Sequence, residues 1–339
     1  MEKRTKRIII GCVTIVIIIL MIIYVDFQNL IINLQSISFF GIFLFSATYT
    51  VAFIFRALKL KVTFNAINLN PRYLTIYGAI GTGWAINELT PAKLGDIAKM
   101  EYIHQRESNF RLSKCLVAVL IDRFIDLIIL FSITCFTLLY IYLINISYPS
   151  ELNLFIIVGA LILLLGALAL LLLFFKTEGV LNFIGKISLR LKTFLEKFIY
   201  RFVEGLNDFR KDKKRMVLVL VYNIPTWFFE SLTLVIIFYL AGYDVDFFII
   251  ILAQIITFFT KTIPITPGGW GFSEIIGTAI ITLFYPIYLP INNEILSLFV
   301  LDHFLRIFYV FIYGGISTVA INFKFKEVSV DQIARNSNS

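Results

Sequence analysis

Charge is scarce in this sequence, and so are the side chains that carry most metal and redox chemistry. Of 339 residues only 15% are charged, against roughly a quarter in soluble domains, so a water-soluble globule is excluded. The histidines, His104 and His303, stand far apart. The cysteines, Cys12, Cys115 and Cys135, lie in or beside apolar segments without paired or ligand-like spacing. This pattern gives no metal site and no disulfide framework, and no cofactor is expected. Residues 24–36 lack a small-x-small cleavage pattern, so the basic start Met1–Arg7 and the apolar run Ile8–Val25 read as an uncleaved first helix rather than a signal peptide.

What fills the chain is hydrocarbon. Hydrophobic residues make up 59% of it and the mean hydropathy is +0.88, the composition of an all-α polytopic membrane protein. Apolar runs near 8–25, 37–55, 113–143, 152–175, 216–240 and 294–322 mostly reach the roughly 20 residues that a crossing needs. Two shorter runs, 73–89 and 247–263, lead into related breaks: Thr90-Pro91-Ala92-Lys93-Leu94-Gly95 and Thr266-Pro267-Gly268-Gly269-Trp270-Gly271. Each is followed by an apolar helix bearing charge, Leu120-Ile121-Asp122-Arg123-Phe124 in one case and Val300-Leu301-Asp302-His303-Phe304 in the other.

The net charge of +8 follows membrane sidedness rather than nucleic-acid binding, and no nucleic-acid partner is expected. If the two short runs are re-entrant helical hairpins entering from opposite faces, Lys and Arg collect in the N-terminal tail and in 56–72, 93–114, 176–215 and 324–335, all cytoplasmic. The loops 26–36, 145–151, 241–246 and 286–293 then contain no basic residue. Reading the short runs as ordinary spans instead puts the basic segment 91–114 outside, against the positive-inside rule. The expected architecture is therefore a single membrane domain over 1–339, with six spanning helices and two hairpins (eight hydrophobic elements). These form an inverted repeat, 8–143 and 152–322, with both termini and the tail 323–339 cytoplasmic. The linker 176–215 carries Phe183, Ile184, Ile187, Leu191, Phe194, Phe198 and Phe202 at helical spacing beside Lys and Arg. It reads as an amphipathic helix drawn to the anionic inner leaflet, with a regulatory contact as the alternative.

Arg123, Lys261 and Arg306 fall deep inside apolar segments or at a hairpin tip. A charge at the bilayer centre costs about 2.5–3.5 kcal/mol on insertion scales, so such residues face a polar interior and mark function. Internal neutralisation is the competing account: Arg123 shares a helix face with Asp126, and Arg306 with Asp302. Thr90-Pro91 has the form of an N-cap and first helical residue. The Gly268, Gly269 and Gly271 backbone, placed ahead of a helix near Ser273-Glu274, suits an anionic oxygen such as phosphate, unless these glycines only make a tight turn.

Three motifs resemble the signatures of the flippase-like, lysylphosphatidylglycerol synthase membrane-region family: Asn87-x-x-x-Pro91-x-Lys93-x-Gly95-Asp96 with Lys99, Arg123-x-x-Asp126, and Pro267-Gly268-Gly269-x-Gly271-x-x-Glu274. The resemblance extends over roughly residues 5–325. Lys93 and Lys99 stand where Arg is usual, which keeps the charge and loses the bidentate fork, and Trp270 stands where an aliphatic residue is usual. Members with a cytosolic aminoacyl-transfer domain make and flip aminoacylated phosphatidylglycerol, and stand-alone members imply movement of phospholipids or polyprenyl-phosphate sugars. The polar linker and tail are too short for that catalytic domain, so synthesis is not expected.

The resulting expectation is a plasma-membrane flippase for a lipid with an anionic phosphate headgroup, partnered by membrane lipids and compatible with a homo-oligomer. Arg123, Arg306, Lys261, Lys93 and Lys99 would attract the phosphate. Gly268, Gly269 and Gly271 would receive it. Asp126, Glu274, Asp302 and Asp96 would balance charge or exchange a proton. The alternative is a membrane-embedded lipid-modifying transferase or phosphatase, for which His303, Asp122 and Glu88 are the available acid–base groups.

Overall fold

Long apolar segments with no water to satisfy their backbone must close their hydrogen bonds internally, and four of them do so as helices long enough to cross a bilayer. The computed structural model describes residues 31, 34–35, 37–90, 94–107, 110, 112–144, 176–261, 266–285 and 293–320, and every regular element among them is helical. The long helices are α1 (Phe39–Ala66), α4 (Leu112–Leu143), α7 (Lys213–Leu240) and α10 (Asn293–Ala320). Between them stand two pairs of shorter helices, α2 (Tyr73–Leu89) with α3 (Gly95–Arg106), and α8 (Phe247–Thr260) with α9 (Phe272–Phe284). The linker folds as α5 (Thr177–Ile187) and α6 (Leu189–Lys211). The expected spans 8–25 and 152–175, Lys93 and the tail 323–339 lie outside the described residues.

Local chemistry sets the ends of these helices. Ser38 Oγ accepts the Gly41 N–H at 3.2 Å to begin α1. Asp212 accepts the Arg215 N–H at 3.0 Å to begin α7, and Asp246 accepts those of Phe248 and Ile249 to begin α8. The expected N-cap role of Thr90 does not hold. Thr90 closes α2 in extended backbone, with its hydroxyl donating to Ile86 O at 2.8 Å, and α3 starts four residues beyond Pro91. The side chain that serves α3 comes from across the hairpin: Asn87 Oδ1 accepts the Gly95 N–H at 2.8 Å. The backbones of Gly83 and Gly95 touch here, and a Cβ on Gly95 would lie 1.8 Å from Gly83 O.

A second correction concerns α1. The apolar run expected to end at residue 55 continues as helix to Ala66, so Arg56 and Lys59 belong to the buried helix rather than to a cytoplasmic loop.

The order long helix, short pair, long helix occurs twice, and the packing follows it. α1 lies along α7. The first helix of each pair packs on the last long helix of the other half, α2 on α10 and α8 on α4. The second packs on the last long helix of its own half, α3 on α4 and α9 on α10. α6 docks on α4 and α7 and buries Ile199 and Phe209, whereas Phe183, Ile187 and Leu189 remain exposed. The outward faces of the long helices carry Phe39, Phe43, Phe136, Phe304, Phe308 and Ile316, all exposed, as expected of surfaces that meet lipid.

Candidate functional site

The polar residues of these apolar helices converge on the interior. Arg56 and Lys59, one turn apart on α1, are 3% and 0% exposed, and each meets carboxylates of other helices. Arg56 pairs with Glu230 of α7. Lys59 pairs with Asp126 and, at 3.1 Å, with Asp122, both on α4. The Arg56 guanidinium also lies 4.6 Å from the Trp84 ring centroid and 5.0 Å from that of Trp227, stacking that suits a delocalised cation.

Arg123, also on α4, turns to the first hairpin. Its Nε and Nη2 donate to Asp96 of α3 at 2.8–3.2 Å in a forked contact, and Lys99 reaches the same carboxylate at 2.7 Å. The expected pairing with Asp126 exists but is longer, 3.7 Å. Arg123 keeps 27% of its side-chain surface exposed, while Lys99 is buried.

Arg306 pairs with Asp302 at 2.7 Å, as its spacing suggests, and is 3% exposed. It also donates to Glu230 O at 2.8 Å and to Thr233 Oγ1 of α7, and its guanidinium lies 5.0 Å from the Tyr49 ring. Glu230 therefore stands between Arg56 and Arg306, with its Oε1 3.7 Å from Arg306 Nη1. Among the described residues Arg123 and Arg306 share no carboxylate. They are joined by the relay Asp126, Trp227, Arg56 and Glu230, in which Trp227 Nε1 donates to Asp126 at 3.0 Å.

The second hairpin adds a third group around His303. Its imidazole contacts Glu274 of α9 through Nδ1 and Glu88, in the last turn of α2, through Nε2 at 3.3 Å. Trp270 stacks on it with ring centroids 4.6 Å apart. Gly268, Gly269 and Gly271 all adopt positive φ, backbone that favours glycine. Their neighbours are already side chains of the protein: a Cβ on Gly268 would lie 2.4 Å from Glu88 Oε2, and one on Gly269 would lie 2.6 Å from Lys261 Cγ. Ser273 Oγ donates to Gly269 O at 2.9 Å and ties the turn to α9. Lys261, at the C-cap of α8, is half-buried. Among the described residues no carboxylate comes within 4.0 Å of its amine. With Gln254, Thr257, Ser273, Glu274 and His303 it lines a polar cavity of about one water molecule in size.

Of the residues singled out from sequence, the structure joins Asp96, Lys99, Arg123 and Asp126 in one cluster and Asp302 and Arg306 in another. Lys261, the glycine turn and Glu274 sit beside the second cluster. Arg56, Lys59, Trp227 and Glu230 went unnoticed in the sequence. Two signals point to them: helical hydrophobicity continues through Arg56 and Lys59, and Glu230 is an isolated acid inside an apolar run, which demands a partner.

The sequence profile of the "Lysylphosphatidylglycerol synthase TM region" family matches residues 8–315. A UPF0104 membrane protein of Pyrococcus horikoshii is 24% identical over 250 residues, 68% of this chain and 73% of that protein. No solved structure matches the chain.

Proposed function

Because this chain belongs to the lysylphosphatidylglycerol synthase TM-region family, we propose that it is a lipid flippase moving a lipid with an anionic phosphate headgroup, a phospholipid or a polyprenyl-phosphate sugar, between leaflets of the plasma membrane. The observation that carries this reading is Lys261. It is a half-buried ammonium at the turn between two apolar helices, with no carboxylate in pairing range among the described residues, beside the glycine turn and the polar cavity. A cation held in such a place is stabilised when an anionic headgroup arrives. Arg123, half-buried over Asp96, offers a second partly open cation on the first hairpin. The remaining charges serve as a preorganised frame, in which Asp126, Asp302 and Glu274 hold Lys59, Arg306 and His303, while Asp96 orients Arg123.

The exchange of packing partners between halves supports an inverted repeat with two re-entrant hairpins. α2 has about 25 Å of helix and α8 about 21 Å, both short of the roughly 30 Å hydrocarbon core. In this reading both termini are cytoplasmic, the lipid tails stay in the bilayer, and rocking of one half against the other opens the site to each leaflet in turn.

Reconstitution in liposomes with fluorescent phosphatidylglycerol and a labelled polyprenyl-phosphate sugar tests the proposal through loss of leaflet protection from a membrane-impermeant reductant. Wild type is expected to speed exchange of at least one of these lipids, and Lys261→Ala to slow it by about tenfold or more, the scale of a lost charge-assisted contact. Folded wild-type protein that moves no lipid in a broad panel ends the flippase reading. A second reading, a lipid-modifying enzyme, draws on the acid–base constellation of His303 between two carboxylates. Chromatography of the same vesicles decides it, because an enzyme changes the lipid and a flippase returns it unchanged.

A further inference from the structure

Both ring nitrogens of His303 face carboxylates, and this fixes the number of protons the group must hold. A neutral imidazole carries one N–H, so against two ionised carboxylates only one contact would be a hydrogen bond and the other would set lone pair against lone pair. A second proton therefore belongs to the group formed by Glu88, His303 and Glu274.

The position of that proton is mechanically significant. Glu88 ends the first helix of one hairpin, Glu274 begins the second helix of the other, and the Gly268 backbone lies against Glu88. The groups that face His303 are Glu88 from α2, Lys261 at the end of α8, Glu274 from α9, and on its own helix Asp302, which is held by Arg306. Glu274 Oε2 is buried without a hydrogen-bond partner and its residue lines the water-sized cavity, which gives the proton a neighbour to pass to.

We propose that Glu88, His303 and Glu274 bind one exchangeable proton that latches the two hairpins together, and that this proton leaves before the hairpins part. On leaving, an N–H bond breaks, its electron pair stays on the imidazole, and a water oxygen takes the proton. The latch rests on the flippase reading, whereas the proton site itself does not.

Trp270 reports on the site directly, because an imidazolium stacked on an indole quenches its emission more than a neutral imidazole does. The purified full chain is titrated from about pH 5 to about pH 9, and emission is taken as the difference between wild type and Trp270→Phe. A single quenching step on acidification is expected in wild type. It should be absent in His303→Gln and displaced in Glu88→Gln, which keeps the imidazole and guards against a misfolded histidine variant. The same pH series is run on vesicles with fluorescent phosphatidylglycerol, where exchange should accelerate as the proton leaves. No step in wild-type emission overturns the proton site, even if lipid moves. A step with lipid exchange that ignores pH overturns the latch. A step in a folded protein that moves no lipid upholds the site while removing the flippase reading on which the latch depends.

Discussion

Trp227 on α7 donates its indole N–H to Asp126 on α4 at 3.0 Å, and so connects the two long helices through a charge that Lys59 of α1 also holds. Because Arg56 lies over the same indole ring, this tryptophan joins the Arg123 and Arg306 clusters without carrying charge itself. Three helices thereby converge on one aromatic side chain.

Trp227→Phe keeps a ring near Arg56 but removes the N–H. The expected loss is about 1.5–3 kcal/mol, the range for a hydrogen bond to a charged group. Trp227→Leu should lose more, since it also removes the aromatic face beneath the guanidinium. Unfolding midpoints of the purified protein in detergent measure both.

Glu230 serves two guanidiniums, so its neutralisation should be among the most damaging single changes. Glu230→Gln leaves Arg56 without its paired carboxylate, and breaking a buried pair on one side costs about 3–5 kcal/mol. The double substitution Arg56→Met with Glu230→Leu removes both partners and should be less destabilising than Glu230→Gln alone. A double-mutant cycle on thermal unfolding separates the pair from its surroundings.

The contact between Arg123 and Asp96 depends on fork geometry, because Nε and Nη2 both donate to it. Arg123→Lys keeps the charge and loses the fork. Stability should change by no more than about 1 kcal/mol for this half-exposed pair, while lipid exchange falls several-fold and falls further in Arg123→Ala. Unfolding and exchange measured on the same preparations check the separation.

Gly95→Ala should open the first hairpin, since its new Cβ would meet the Gly83 carbonyl and the Asn87 side chain together. Crowding of this kind costs about 1–3 kcal/mol. Gly315→Ala, at an exposed position of α10, meets nothing within 4 Å and should be neutral or stabilising by up to about 1 kcal/mol. The contrast is read from the two melting temperatures.

Hydrophobic periodicity revealed the helical class, the long helices at 113–143, 216–240 and 294–322, and the two broken short segments, because these depend on local composition alone. The end of α1 was hidden for the opposite reason. Arg56 and Lys59 look like the start of a loop until Glu230, Asp122 and Asp126, distant in sequence, are known to meet them. Within the site, Arg306 with Asp302 was legible because one helical turn separates them. The forked grip of Arg123 on Asp96 was not, because it depends on how the hairpin packs against α4. His303 was legible only as an available acid–base group, because its contacts with Glu88 and Glu274 depend on how two separate hairpins pack.

The dispersal of ionic partners along the chain also bears on how the protein is made. α4 meets partners made before it, because Lys59 of α1 takes Asp122 and Asp126 and Asp96 of α3 takes Arg123. Arg56 waits longer, since it precedes Glu230 by 174 positions, and a charge at the bilayer centre costs about 2.5–3.5 kcal/mol on insertion scales. A shallow provisional placement of α1 until α7 emerges would spare the nascent chain that cost.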